Sequence, residues 1–81
     1  MIEFIYDHIK YFKPFESSKS PGWVIKSLGY FKQEKNVVVT FYSKTFNSYT
    51  SRDLRLIHKD LVKEIYNNIK YHMKEENLWN D

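Results

Sequence analysis

The side chains that could most readily do chemistry are basic ones, spaced three, four or seven residues apart in the second half of the chain. They are Arg52, Arg55, Lys59, Lys63, Lys70 and Lys74. On an α-helix this spacing places them within about 120° of one another. Such a line of cations can follow a nucleic-acid backbone, because each phosphate contact releases a counterion. The line is equally typical of a solvated helix face, since Asp53, Asp60 and Glu64 run beside it.

A second group combines aromatic rings with lysines between residues 23 and 44. Trp23, Tyr30 and Tyr42 supply the rings, and Lys26 and Lys44 lie near them in the sequence. A basic, aromatic sheet surface can stack nucleic-acid bases. Large aromatic residues are also enriched among the residues that dominate protein interfaces. We therefore predict Trp23, Tyr30 and Tyr42 as binding residues, with the class of partner left open.

The sequence contains no pattern for catalysis, metal binding or cofactor binding. The three histidines, His8, His58 and His72, have no histidine four residues away, and the chain has no cysteine. These spacings do not match known metal sites. Two glycines in the whole chain do not build a phosphate-binding loop. We therefore predict a protein without enzymatic activity, metal or cofactor.

The net charge of +3 is small, and all of it comes from residues 1–49, because residues 50–81 sum to zero. No apolar run approaches the roughly 20 residues that span a bilayer. The N-terminus does not resemble a signal peptide, and a small secreted domain would usually carry disulfides. These features predict a cytoplasmic protein without a membrane partner. Residues with A/T-rich codons greatly outnumber Ala, Gly, Pro and Arg, which favours a phage or another mobile element as the source.

The periodicity of the first half predicts a short helix followed by a hairpin. Apolar residues between 2 and 12 recur at helical spacing, and Pro14 ends that pattern. Residues 14–22 have the composition of a loop. The alternation then changes to a period of two, which predicts a β-hairpin over 23–42. Residues 46–49 are compatible with a third antiparallel strand, although Ser43-Lys44 is a poor two-residue turn.

A long C-terminal helix is predicted over residues 51–76. Thr50 to Asp53 has the form of a capping box, and an apolar periodic run follows it. We expect this helix to cover the sheet face that carries Val37, Val39 and Phe41. The helix residues expected to make that contact are Ile57, Leu61, Ile65 and Ile69.

These elements predict one α+β domain over residues 1–81, with a long helix packed on a hairpin or a small three-stranded sheet. The favoured function is a small non-catalytic protein-binding module, encoded by a phage or mobile element. It would act by occupying a surface of a larger protein, as an inhibitor or adaptor. The alternative is a small basic nucleic-acid-binding domain. It would use the Lys-rich hairpin or the line of six basic residues from Arg52 to Lys74, which we call the basic ridge. Open sheet edges also predict a homodimer, formed by edge pairing or by helix packing.

Overall fold

The structure is a computed structural model, which describes residues 1–79 apart from the side chain of Lys32. Its helices and strands follow the order α1 (Ile2–Asp7), β1 (Phe15–Glu16), β2 (Trp23–Phe31), β3 (Asn36–Ser43), β4 (Ser48–Asp53) and α2 (Lys59–Glu75). Short 3-10 turns occupy Ile9–Tyr11, Lys32–Glu34 and Leu54–Leu56. The predicted α+β arrangement is confirmed, and the sheet has four strands rather than two or three.

The four strands form an antiparallel meander in the order β1-β2-β3-β4. The β2–β3 hairpin has the predicted position and turns through residues 32–35. A bulge between Ile25 and Ser27 shifts its register, so that Ser27 lies opposite Thr40. A third strand does follow the hairpin, but it is Ser48–Asp53 rather than residues 46–49, and it pairs with β3 from Ser43↔Ser48 to Val38↔Asp53. The sheet therefore ends at a strand of six residues, which has β3 as its one strand neighbour among the residues described.

The core lies between the sheet and the two helices. Val37, Val39 and Phe41 point from β3 into this core, and α2 contributes Ile65 and Ile69, both fully buried. The remaining buried apolar residues are Ile5, Ile25, Leu54 and Met73. Ile57 and Leu61 pack against this cluster but stay partly exposed. The predicted contact between the long helix and the β3 face is therefore confirmed.

The predicted start of the long helix is wrong by eight residues. Thr50 and Ser51 do not begin a helix, because they pair with Phe41 and Thr40 of β3. The strand ends at Asp53, and the helix starts at Lys59. Pairing with a central strand and burial against it outweigh a local capping signal in this segment.

Asp53 and His58 cap the two helical segments that follow β4. The Asp53 carboxylate accepts a 2.8 Å hydrogen bond from the Arg55 backbone N–H, which caps the short 3-10 turn. His58 caps α2, because its Nδ1 accepts a 3.1 Å hydrogen bond from the backbone N–H of Asp60.

The N-terminal segment differs from its prediction in two respects. The α-helix ends at Asp7, and the rest of the predicted 2–12 helix is a 3-10 turn. The predicted loop over 14–22 includes the short strand β1, which pairs with Val24 and Ile25. Glu64 of α2 holds this loop, accepting hydrogen bonds from the Ser17 hydroxyl at 2.8 Å and the Ser18 hydroxyl at 2.9 Å.

Candidate functional site

The two helices cover one side of the sheet and leave the other side, the outer face, open to solvent. Its residues alternate with the core residues along each strand, as the strand register requires. The outer face includes Val24, Ser27, Gly29, Phe31, Val38, Thr40, Tyr42, Tyr49, Ser51 and Asp53. Tyr49 is 63% exposed and Phe31 is 46% exposed. A Cβ atom added to Gly29 would meet no heavy atom within 4 Å, so the surface around it is open.

Tyrosine rings and hydroxyl groups line the β3–β4 part of the outer face, towards the turn between these strands. The rings of Tyr42 and Tyr49 lie on neighbouring strands, with their centroids 5.0 Å apart. The Tyr42 hydroxyl donates a hydrogen bond to the Asn47 side chain, which fixes the ring against the β3–β4 turn. The hydroxyls of Thr40 and Ser51 are 3.1 Å apart. The result is a preformed surface of rings and hydroxyls.

Ion pairs close both ends of the outer face. Lys44 pairs with Glu16 at one end, and its hydrogen bond and charge lower the pKa of that carboxyl. At the other end Arg55 bridges Asp53 and Glu34, with N–O distances of 2.7 and 2.9 Å. Hydrogen bonds from Arg55 hold the pKa of Asp53 far below its ordinary value. The charges bordering the face are therefore largely neutralised within the chain.

The three aromatic residues predicted as binding residues do not form one site. Tyr42 lies on the outer face. Trp23 is half-buried on the core side, where its ring packs edge to face on Phe41 with the centroids 6.4 Å apart. Tyr30 is exposed at the core-side rim and packs edge to face on Tyr6, at 5.2 Å.

The predicted basic ridge does not exist as one line. Because α2 begins at Lys59, Arg52 lies on β4 and Arg55 lies in the 3-10 turn. Arg55 is also engaged with two carboxylates. The physical reason is that residues 50–53 are extended, so their side chains do not follow the 100° spacing of a helix.

The four lysines of the ridge all lie within α2, and the spacing that predicted the ridge still places them on one side of this helix. Lys59 and Lys63 are exposed beside a broad groove between α1 and the start of α2. Lys70 lies over the ring of Trp79, with 5.0 Å between Nζ and the ring centroid. Lys74 is exposed in the last turns of the helix. The predicted ridge is therefore reduced to these four lysines of α2, without Arg52 and Arg55.

A second feature, which we name the β4 recess, opens on the core side of the sheet next to β4. It has a volume of about 360 Å³. Trp23, Phe41 and Leu61 give it an apolar lining, and Thr50 and Arg52 of β4 border it. Leu56, which is 76% exposed, also borders the recess. Arg52 pairs with Val39 in the sheet, but its side chain makes no hydrogen bond or ion pair with the part of the chain that the structure describes.

Sequence reasoning missed several residues of these two surfaces. Tyr49 and Phe31 of the outer face and Leu56 of the recess were not among the predicted site residues. The alternation on β3 would have found Tyr49 once the β3–β4 register was known, because Tyr49 lies directly opposite Tyr42. Leu56 had no such signal, since it was assigned to the predicted helix.

The described residues contain neither a cluster suited to a metal ion nor a helix suited to crossing a membrane. No group of three or more histidine, cysteine, aspartate or glutamate side chains is arranged to hold a metal ion within residues 1–79. None of the described helices has the length and apolar character needed to cross a bilayer.

Comparisons with models of protein families, with curated proteins and with solved structures found no match to this chain.

Proposed function

We propose that the protein is a small non-catalytic binding module whose outer face docks on a neutral surface of a larger protein. By covering that surface it acts as an inhibitor or an adaptor. The observation that carries the proposal is the Tyr42–Tyr49 pair on an uncovered sheet face, where Tyr49 is 63% exposed. Monomeric proteins seldom leave such aromatic patches in water unless they use them.

The chemistry of the outer face favours a protein as the partner. Tyrosine provides a large contact area with few rotatable bonds, and serine and threonine provide adaptable hydrogen bonding. Tyr42, Tyr49, Thr40 and Ser51 combine these properties on adjacent strands. The Tyr42 ring is already held by Asn47, so binding would cost little side-chain entropy.

The distribution of charge supports the same choice over nucleic acid. Phosphate binding needs cations that are free to replace counterions. Lys44 and Arg55 at the ends of the outer face are paired with carboxylates. A neutral protein surface is therefore the better complement to this face. Nucleic-acid binding through Lys59 and Lys63 remains the alternative outcome of the experiments below.

We extend the proposal to the source and the assembly of the protein. The A/T-rich codon usage supports a phage or mobile element as its source, and the lack of cysteine supports the cytoplasm. For the assembly we propose a homodimer that forms by packing between helices and leaves the β4 edge free. Sedimentation of the full chain at high micromolar concentration tests that assembly. A species of 9.9 kDa would contradict it.

The proposed docking surface can be blocked at Gly29 without disturbing the core. Gly29→Arg adds a long side chain to the outer face, where the space above the backbone is open. The matched control is Asn67→Arg, which makes the same charge change on the exposed side of α2. Wild type and both variants are cross-linked in cells of the source organism, and the captured proteins are quantified by mass spectrometry.

We expect one protein to be captured by the wild type and by Asn67→Arg but lost with Gly29→Arg. Truncation of Tyr42 or Tyr49 should then weaken binding of the isolated partner by more than about 2 kcal/mol. Equal capture by all three chains would contradict docking on the outer face. Recovery of nucleic acid in place of a protein would favour the alternative function.

A further inference from the structure

We propose that β4 binds an extended segment of a partner protein as a fifth strand, with one apolar side chain in the β4 recess and a carboxylate at Arg52. This inference deepens the proposed function, since it rests on the partner being a protein. It concerns a different surface, because the β4 edge and the recess lie beside the outer face and not on it.

The backbone of β4 provides the first part of the site. β4 is the last strand of the sheet and spans six residues, from Ser48 to Asp53. Alternate N–H and C=O groups of an edge strand have no strand partner, which makes the edge a template for an added strand. At the opposite edge β1 has two residues, so it offers a much shorter template.

The recess provides the second part, a place for a side chain. In an added strand, alternate side chains would point to the core side, in the same row as Thr50 and Arg52. These two residues border the recess, whose lining includes the rings of Trp23 and Phe41. A volume of about 360 Å³ accommodates one large apolar side chain. The exposed Leu56 would extend this apolar contact.

Arg52 provides the third part, the charge that selects the partner. Its guanidinium is exposed and forms no ion pair within the described residues, whereas Arg55 pairs with two carboxylates. In a strand, residues two positions apart point to the same side. A segment with a large apolar residue and an acidic residue two positions away would therefore present both to the recess and Arg52.

The probe for this site is a synthetic peptide with blocked ends. It has eight residues, alternates threonine and valine, and carries a central leucine with an aspartate two positions later. It is titrated into the full chain while backbone amide signals are followed by NMR. Control peptides replace the leucine by serine or the aspartate by asparagine, or carry N-methyl groups on alternate amides.

We expect the probe to shift the amide signals of residues 48–53 and to protect some of them from hydrogen exchange. Replacing the leucine should weaken binding at least tenfold, from the loss of buried apolar area. Replacing the aspartate should weaken it about threefold, as for an exposed ion pair. N-methylation of the amides that face β4 should abolish the protection.

A double-mutant comparison assigns the charge to Arg52. The Arg52→Gln variant should bind the aspartate and asparagine peptides equally. The control variant Lys63→Gln should keep the threefold preference for the aspartate peptide. The proposal is overturned if the probe causes no change at millimolar concentration, or if it shifts Gly29 and Val38 but not β4. It is also overturned if β4 is already protected by pairing with a second copy.

The result separates this inference from the proposed function. Loss of the captured partner with Gly29→Arg, together with no peptide binding, would keep the outer face as the docking surface and reject the β4 site. Peptide binding at β4, with capture unaffected by Gly29→Arg, would keep the β4 site and move the docking surface away from the outer face.

Discussion

The two faces of the sheet use alternate residues of the same strands for different purposes. On β3, Val37 and Val39 are fully buried under the helices, while Val38 between them and Thr40 beyond them lie on the outer face. The covered face contributes the apolar burial that stabilises the fold. The outer face can therefore carry residues chosen for binding, because the domain does not depend on them for its core.

The first prediction tests the covered face and has the largest expected effect. Ile65→Ala removes a fully buried side chain of α2 and leaves a cavity under the sheet. We expect the free energy of unfolding to fall by about 2–5 kcal/mol. Denaturant unfolding measures this change. An unchanged unfolding midpoint would show that α2 is not docked on the sheet.

The second prediction concerns the carboxylate of Glu64, which holds the loop at Ser17 and Ser18 to α2. Burial raises the pKa of Glu64, but hydrogen bonds from Ser17 and Ser18 and the charge of Lys19 outweigh burial and lower the pKa below its ordinary value. Glu64→Gln replaces charge-assisted hydrogen bonds by neutral ones. We expect it to cost about 1 kcal/mol at pH 7.

The sign of the pH dependence follows from the lowered pKa of Glu64. The stability it contributes is fully present above the pKa of an unfolded glutamate, about 4.3, and is lost as the pH falls through the folded value. The difference between wild type and Glu64→Gln should therefore shrink on acidification from pH 6. The exposed Glu76→Gln serves as the control. A gap that stays constant with pH would contradict the role of the Glu64 charge.

The third prediction tests the outer face, where stability and binding should separate. Tyr49→Thr keeps a strand-forming residue but removes the ring that packs on Tyr42. We expect a loss of only about 0.2–1 kcal/mol in unfolding free energy, which is typical of a cross-strand pair. Thermal and denaturant unfolding measure it. A loss as large as that of Ile65→Ala would mean that the outer face is part of the core.

The fourth prediction has the smallest expected effect and tests Lys59 and Lys63 of α2. If the function were binding to nucleic-acid phosphates, replacing Lys59 and Lys63 by Glu would weaken binding equally for all DNA and RNA sequences. The slope of log affinity against log salt would also fall by about one unit per contact. We expect only weak retention on DNA and RNA at about 150 mM salt, with a dissociation constant of about 10⁻⁴ to 10⁻⁶ M. Submicromolar retention that the reversals remove would place the interface on the helices.

Much of the covered face could be predicted from the sequence. The alternation Val37, Val39, Phe41 and the helical spacing of Leu61, Ile65 and Ile69 identified the two surfaces that meet. The outer face was only partly predicted, because its residues are defined by pairing between strands. Tyr42 was identified from its own strand, whereas Tyr49 needed the register of β4.

The sequence by itself determined the α+β class, the β2–β3 hairpin and the buried side of α2, because each depends on periodicity within one segment. Only the tertiary structure decided where β4 ends and α2 begins. Thr50 to Asp53 is compatible with a helix cap and with an edge strand, and pairing with β3 selects the strand. That choice moves Arg52 from a helix ridge to the sheet edge and places Tyr49 beside Tyr42. Contacts between distant segments thus decide which side chains share a surface, and local spacing does not contain that information.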